Sequence, residues 1–270
     1  MTTSRSDKRE LATGDADVDS LCALVERALA EGRIVPFFQP VVDARDPCRV
    51  IFHEVLLRLR TRGGRLLLPT RFLPAVAGSP LAAALDRLAL SAAIATLSAR
   101  PSIRLSVNVG QTTLDDACWL DLLTEACDRS GDIGYRLIVE MTEHAALLAH
   151  PCFGDFIARL RVLGPTRALD DFGAGATGFQ ILRNHRFDML KIDGTYGAAL
   201  SESSDSQVMV QAMVAIARHF EMLTVLEHVE TQEDAAMAVA LGVDCLQGHH
   251  YGRATENIAT ATLNMSVGRA

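Results

Sequence analysis

Apolar residues recur along the chain with two periods, and the switches between them mark out its elements. Leu21, Leu24, Val25, Ala28 and Leu29 fall at helical spacing, with Gly32 placed to end that helix. Residues 35–42 and 50–59 read as two strands, and residues 81 to about 97 as an alanine- and leucine-rich helix. From Ile103 onward strand and helix alternate without a break. The strands are 103–109, 136–141, 167–171, 188–193, 223–227 and 244–247. Helices fall at about 114–129, 151–163, up to 183, 205–220 and 231–241. Within 205–220, Met209, Ala212, Met213, Ile216, Ala217 and Phe220 make a helical stripe, so these methionines are expected in the core.

Strand–helix alternation of this kind builds a parallel sheet with helices outside. An open doubly wound sheet and a closed barrel both fit. Polar residues recur at the C-terminal ends of strand after strand: Asn108, Glu140, Asp170, Asp171, Lys191, Glu227 and Gln247. In a (β/α)8 barrel those ends converge on one mouth, which favours a single TIM-like barrel domain. Its bounds are residues 17–260, with 1–16 a disordered lead-in and 261–270 a C-terminal tail. The chain has no Gly-rich dinucleotide fingerprint and no Walker-type loop.

Two stretches break the apolar pattern. The strand 50–59 carries Glu54 and Arg58 on one face with Phe52 and Leu56, which suits either a solvated edge or a site. In residues 168–178 a short apolar run ends in Asp170-Asp171, followed by Gly173, Gly175 and Gly178. Read alone, the paired carboxylates suit a helix N-cap as well as a divalent-cation site.

The bulk numbers narrow the class. The 270 residues are 49% hydrophobic and 22% charged, ordinary for a globular protein. A net charge of −7 argues against broad binding to a nucleic-acid polymer, though not against a small phosphate-bearing ligand. The six cysteines are scattered, with no CxxC pair, as in a reduced, cytoplasmic protein. The N-terminus lacks the apolar core of a signal peptide, and no segment is expected to span a membrane. Residues 1–20 are too short for a sensory domain, so regulation is expected through oligomerisation, a separate regulatory protein or expression level.

Eight short segments in register resemble the EAL-domain family of cyclic di-GMP phosphodiesterases and receptors. They are Phe38-Gln39-Pro40, Glu54-Val55-Leu56-Leu57-Arg58, Ser106-Val107-Asn108-Val109 and Glu140-Met141-Thr142-Glu143, then Leu169 to Gly175, Leu190-Lys191-Ile192-Asp193, Leu226 to Thr231, and Leu246-Gln247-Gly248. The resemblance implies a TIM-like barrel that hydrolyses cyclic di-GMP to linear pGpG with two Mg²⁺ or Mn²⁺ ions. It casts Glu54, Asn108, Glu140 and Asp170 as ligands of one metal, with Asp170 bridging to a second that Asp171 also binds. Lys191 resembles the residue that positions the attacking water, and Glu227 a required acid in the metal and water network. Gln247 supports that network at the mouth, and Glu143 steadies the loop after Asp171. Gln39 and Arg58 look like substrate contacts, Arg58 to a phosphate. A homodimer through the loop after Asp171 is expected by analogy alone.

The chemistry agrees. Phosphodiester hydrolysis needs a nucleophile at neutral pH and compensation of charge on the leaving oxygen, and two cations about 4 Å apart supply both. An all-oxygen donor set suits Mg²⁺ or Mn²⁺ rather than zinc. Lys191, 20 residues past Asp171, lies one strand–helix–strand step round a barrel. Three rivals stand beside the phosphodiesterase: a catalytically silent cyclic di-GMP receptor, a protein-interaction module, and a Schiff-base aldolase using Lys191. Departures from the family pattern are Val55, the alanines Ala174 and Ala176, His228 in place of Gly, and Gly194 and Ala254, which look peripheral. His249-His250 has no acid or cysteine at ligand spacing, His53 points away from Glu54, Cys245 reads as core, and Asp86 as structural.

Overall fold

Only residues 44–49 separate β1 (Ile34–Asp43) from β2 (Val50–Arg60). That is too short for the crossover a parallel pair requires, so the two strands form an antiparallel hairpin. The computed structural model describes residues 15–142, 150–175 and 178–258. The proposed tails lie almost wholly outside these, except that α1 (Asp15–Ala30) takes in the last two residues assigned to the N-terminal lead-in.

After the hairpin come β3 (Leu66–Leu67), α2 (Pro69–Val76), α3 (Pro80–Ala99), β4 (Leu105–Asn108), a 3₁₀ turn (Gln111–Asp115), α4 (Ala117–Arg129), the single turn α5 (Ile133–Arg136) and β5 (Leu137–Thr142). There follow α6 (Phe153–Leu163), β6 (Thr166–Phe172), α7 (Gly178–Asn184), β7 (Met189–Ile192), the single turn α8 (Gly194–Gly197), α9 (Ser204–His219), β8 (Leu223–Leu226), α10 (Gln232–Leu241) and β9 (Cys245–Gln247). The sequence pattern missed four short elements: β3, α5 and α8 carry too few residues to show a period, and α2 carries Pro74 within its eight residues, which reads against a helix.

Strands β2 and β4 to β9 run parallel to their neighbours in sequence order, and β1 pairs with both β2 and β9. The sheet therefore closes into an eight-stranded barrel, as the alternation predicted. It departs from a regular (β/α)8 barrel in one respect: β1 is antiparallel to both of its partners. Because β1 runs the other way, its register sets Gln39 opposite Glu54 and Val41 opposite Gln247.

Two cores follow from the two faces of the strands. The outward residues Leu105, Val107, Leu137, Val139, Leu169 and Leu190 pack beneath the helices with Trp119, Leu123, Phe156 and Leu160. Trp119 is fully buried, its ring 5.5 Å from that of Phe156. The second core consists of Val41, Phe52, Ile138, Ala168, Met189, Val225 and Cys245, one from each of seven barrel strands. Each fully buried aliphatic or aromatic side chain contributes about 1.5–3 kcal/mol. Cys245 belongs to this inner layer, where burial pushes its thiol up to about 12, so it is core as expected.

Two details differ from the sequence reading. The buried face of α9 is Val210, Met213, Val214 and Ala217, while Met209 is 43% exposed. Apolar residues on both sides of this helix make its stripe ambiguous by one position. Also, α3 is long and apolar enough to cross a membrane, with a mean hydropathy of 1.4, contrary to expectation. Its stripe Ala83, Leu85, Ala89, Leu90, Ala93 and Leu97 is buried, much of it against the barrel wall.

Asp86 on α3 is structural, as expected. Its Oδ2 accepts from the Gly110 amide at 2.8 Å and from Thr113 Oγ1 at 2.6 Å, tying down the loop that leaves β4 just after Asn108. Asp86→Ala strands both donors and should lower stability by about 1–3 kcal/mol in denaturant titration. An unchanged midpoint would show that the loop holds without this anchor.

Candidate metal centre

Side chains two apart on a strand share a face. Two residues beyond each of six members of the inner apolar layer, toward the parallel strands' C-terminal ends, stands a polar residue. Phe52 is followed by Glu54, Ile138 by Glu140, Ala168 by Asp170, Met189 by Lys191, Val225 by Glu227 and Cys245 by Gln247. Asn108 completes the ring at the end of β4. The barrel thus has an apolar floor with a polar layer above it, and Glu54 is 6% exposed within that layer. The solvated-edge reading of Glu54 is excluded.

Asp170 and Asp171 are adjacent, so a regular strand would turn them to opposite faces. The β6–β7 register slips between Leu169 and Phe172, and Asp171 takes a left-handed backbone at φ 54°. This bulge gathers Asp171 with Asp170 and Glu227, one carboxylate oxygen of each lying within 4.8 Å of the others. Gly173 continues the turn at φ 98°, and a Cβ there would meet Met213 Cε at 2.7 Å and Tyr196 Cε2 at 2.8 Å. The Tyr196 hydroxyl donates to the Gly173 carbonyl at 3.0 Å, holding the loop down. Both aspartates belong to β6 and a turn and bend follow over residues 173–175, so the helix-cap reading falls.

Lys191 stands at the centre. Its Nζ lies 2.7 Å from Glu227 Oε1, 2.9 Å from Glu140 Oε2, 2.9 Å from Asp170 Oδ1 and 3.9 Å from Glu54 Oε2. Burial works against its charge, but the carboxylates of Asp170, Glu140, Glu227 and Glu54 outweigh burial and hold the ammonium well above its ordinary pKa. A Schiff-base lysine must be neutral to attack a carbonyl, so the aldolase reading has no support here. Glu54 is held from two sides: Asn108 Nδ2 donates to Oε1 at 2.8 Å and Gln247 Nε2 to Oε2 at 2.6 Å.

Negative charge is in excess. Burial pushes Glu227 up to about 8, partly offset by Lys191 and reinforced by Asp170 and Glu54. Glu140 is raised well above the carboxylate range by burial, with Glu54 and Asp170 opposing the help it gets from Lys191. Glu140 Oε1 and Gln247 Oε1 are buried with no hydrogen-bond partner among the described residues. Glu54, Glu140, Asp170 and Glu227 face one ammonium and Asp171 lies beside two of them, so with all five ionised the layer carries four negative charges beyond Lys191, the charge of two divalent cations. The residues present therefore fit two hard cations, with Asn108 able to turn its amide oxygen inward.

The other predicted residues are placed as follows. Gln39, opposite Glu54, donates from Nε2 to the Gly252 carbonyl at 3.3 Å. Arg58 is half-buried, its guanidinium 5.7 Å over the Phe37 ring and its Nη1 donating to the Leu57 carbonyl at 3.0 Å. Glu143 and the loop residues 176–177, including Ala176, lie outside the described residues. His53 is packed away from the layer, where burial and Arg100 lower it to about 4. His249 pairs with Glu230 at 3.5 Å and His250 packs on Tyr251, neither in the polar layer.

Two departures prove to be one packing arrangement. His228 has the left-handed φ of 54° that glycine adopts freely, and its ring covers Gly194. A Cβ at Gly194 would fall 1.7 Å from His228 Nδ1, and one at Gly197 would fall 1.8 Å from the Glu227 carbonyl oxygen. Gly194 and Gly197 thus let α8 approach the backbone that carries Glu227. Sequence reading missed this pair, together with Tyr196 under Gly173, because each contact joins residues far apart in the chain.

Comparison with known proteins bears on the family and the fold. A sequence model described as the EAL domain matches residues 23–254. The cyclic di-GMP phosphodiesterase PdeF of Escherichia coli is 27% identical over 233 residues, 85% of this chain and 31% of that protein. An uncharacterized signaling protein of Caulobacter vibrioides is 30% identical over 251 residues, 91% of this chain and 30% of that one. This chain spans less than a third of the length of either relative. Among solved structures, the phosphodiesterase PaMucR in complex with c-di-GMP matches with a TM-score of 0.78 at 27% identity, covering 87% of this chain and 97% of that one. The FimX EAL domain of Pseudomonas aeruginosa, bound to c-di-GMP, matches in fold with a TM-score of 0.79 at 24% identity, covering 90% and 98%.

The raised carboxyls have a measurable consequence. A carboxyl raised in the fold stabilises it fully below its ordinary value of 4.5 and loses that contribution as pH rises through about 8. The cation-free chain should therefore lose thermal stability across that window, and Mn²⁺ should restore it. Near neutrality Mn²⁺ binding should release protons, read by calorimetry in two buffers of different ionisation enthalpy. Binding heats identical in both buffers would mean that the cluster is already ionised.

Proposed function

The chain belongs to the EAL-domain family, and on that premise we propose that it is a metal-dependent phosphodiesterase hydrolysing cyclic di-GMP to linear pGpG. The observation that carries this reading is the convergence of Asp170, Asp171 and Glu227 beside Lys191, in one layer with Glu54, Asn108 and Glu140. That PdeF is a cyclic di-GMP phosphodiesterase and PaMucR a phosphodiesterase that binds c-di-GMP supports the same activity.

In this reading Glu54, Asn108, Glu140 and Asp170 would hold one Mg²⁺ or Mn²⁺, Asp170 and Asp171 would hold the second, and Glu227 would complete the site. When bound, the two cations supply a nucleophile from water at neutral pH and compensate charge on the departing oxygen. Lys191 holds Asp170, Glu140 and Glu227 in place and, as a permanent ammonium, orients a water or a phosphate oxygen rather than removing a proton. Gln247 fixes the Glu54 carboxylate at the floor of the mouth. Arg58 offers a guanidinium to a phosphate, and Gln39 contacts the substrate beside Glu54. Glu143 steadies the loop after Asp171. The protein acts in the cytoplasm as a homodimer, under control of a separate protein.

Purified chain with Mn²⁺ or Mg²⁺ should convert cyclic di-GMP to pGpG, and EDTA should stop it, as followed by chromatography of the nucleotides. Glu54→Ala and Asp170→Ala should each lower turnover by more than about 10²-fold, since each removes a charge that offsets the cations. Unchanged rates in these variants would sink the two-metal reading. Binding of cyclic di-GMP without turnover under every metal would make the protein a receptor instead.

A further inference from the structure

Outside the barrel centre, three side chains of different chemistry converge beside the C-terminal ends of β4 and β5. Asp115 closes the 3₁₀ turn after β4, and His150 and Cys152 stand just ahead of α6. His150 Nε2 lies 3.1 Å from Asp115 Oδ2, and Cys152 Sγ lies 3.4 Å from Asp115 Oδ1. One ligand atom of each residue falls within 4.8 Å of the other two. We propose that Asp115, His150 and Cys152 form a site for one zinc-type transition metal, separate from the barrel centre, that ties the loop after β4 to the segment entering α6.

The donor set selects the class of cation. Sulfur, imidazole nitrogen and a single carboxylate suit Zn²⁺ and its transition-metal neighbours, whereas Mg²⁺ and Ca²⁺ take oxygen. Three protein ligands leave a fourth, open position on a tetrahedral ion. Zinc–ligand bonds of about 2.0–2.3 Å in a tetrahedron separate nitrogen from oxygen by about 3.3 Å and sulfur from oxygen by about 3.5 Å. The separations of 3.1 Å and 3.4 Å run to the two different oxygens of Asp115, so a turn of that exposed carboxylate presents a single oxygen to both donors, already within 4.8 Å of one another. Hydrogen bonding alone is a weak reason for the cluster, since a thiol is a poor donor and the Asp115 side chain is 64% exposed to competing water.

His150 is oriented for the task. Its side chain is 14% exposed and its Nδ1 accepts from the Cys152 amide at 3.3 Å, which turns Nε2 toward Asp115. Asp115 keeps Cys152 a thiol, its pKa raised by the hydrogen bond to the carboxylate. A bound cation reverses that preference. Loading releases one proton, from the Cys152 thiol, while the ring proton moves from Nε2 to Nδ1 and the long amide contact opens. The strands on either side of this tie carry Asn108 and Glu140, so a cation here stiffens the rim next to the centre without touching it.

Cobalt(II) added to the 270-residue chain, first stripped of cations, tests the site. Thiolate-to-cobalt charge-transfer absorption needs a sulfur ligand, and the carboxylate and amide donors of the centre supply none. With the barrel centre filled by excess Mg²⁺, the band should saturate at one sulfur-bound cobalt per chain, survive Cys118→Ser and vanish in Cys152→Ser. His150→Gln should weaken cobalt binding by more than about tenfold. Far-ultraviolet circular dichroism and turnover with Mg²⁺ should stay unchanged in these variants. As a measurement on the unmutated chain, Zn²⁺ should protect Cys152 from alkylation, read by peptide mass. Absence of the band, its persistence in Cys152→Ser, or alkylation indifferent to Zn²⁺ would overturn the proposal.

Discussion

The Lys191 ammonium and the carboxylates around it are the interaction on which the centre depends. Removing a carboxylate from water costs several kcal/mol unless a charge or hydrogen bonds compensate. Among the described residues Lys191 is the one buried lysine or arginine, 1% exposed and within 2.9 Å of three carboxylates. It compensates enough charge for the polar layer to form inside a barrel, and too little to saturate it. The surplus pushes Glu140 and Glu227 toward their protonated forms, a preference that bound divalent cations would reverse. The same feature thus underlies folding and chemistry.

Around that ion cluster the barrel supplies order through backbone geometry. The apolar floor from Val41 to Cys245 seals one side, and the polar layer follows two residues along each strand. The bulge at Asp170–Asp171 breaks this rule to bring two neighbouring carboxylates onto one face. Gly173, Gly194 and Gly197 admit Met213, Tyr196, His228 and the Glu227 backbone at distances that a side chain would forbid. Gly194, which looks peripheral in a linear reading, therefore packs against the residue that follows Glu227, and the His228 ring occupies the volume that Gly194 leaves clear.

Much of this was legible beforehand because it is local. The alternation after Ile103, the helix ended by Gly32 and the strand-end positions of Asn108, Glu140 and Lys191 all follow from periods of two and 3.6. Short elements such as α8 and β3 were not legible, since so few residues display no period. The face buried by α9 was misjudged by one position because Met209 and Met213 are equally apolar, and only the neighbouring helices and strands choose between them. The six-residue link between β1 and β2 already forbade a parallel pair, yet its meaning for Gln39 appears only with the hairpin register.

By itself the sequence determined the order of elements, the barrel class and the set of polar residues that a shared mouth would collect. Those properties depend on which side of a strand or helix each residue occupies, and spacing encodes that directly. Only the tertiary structure decided how the barrel closes through an antiparallel β1, that Asp171 turns to join Asp170, that Lys191 touches Glu140, Asp170 and Glu227 together, and that Asp115 meets His150 and Cys152. Each is a contact between segments tens of residues apart, or a backbone turn made to accommodate one. Register and chain closure set such contacts, and no local period records them.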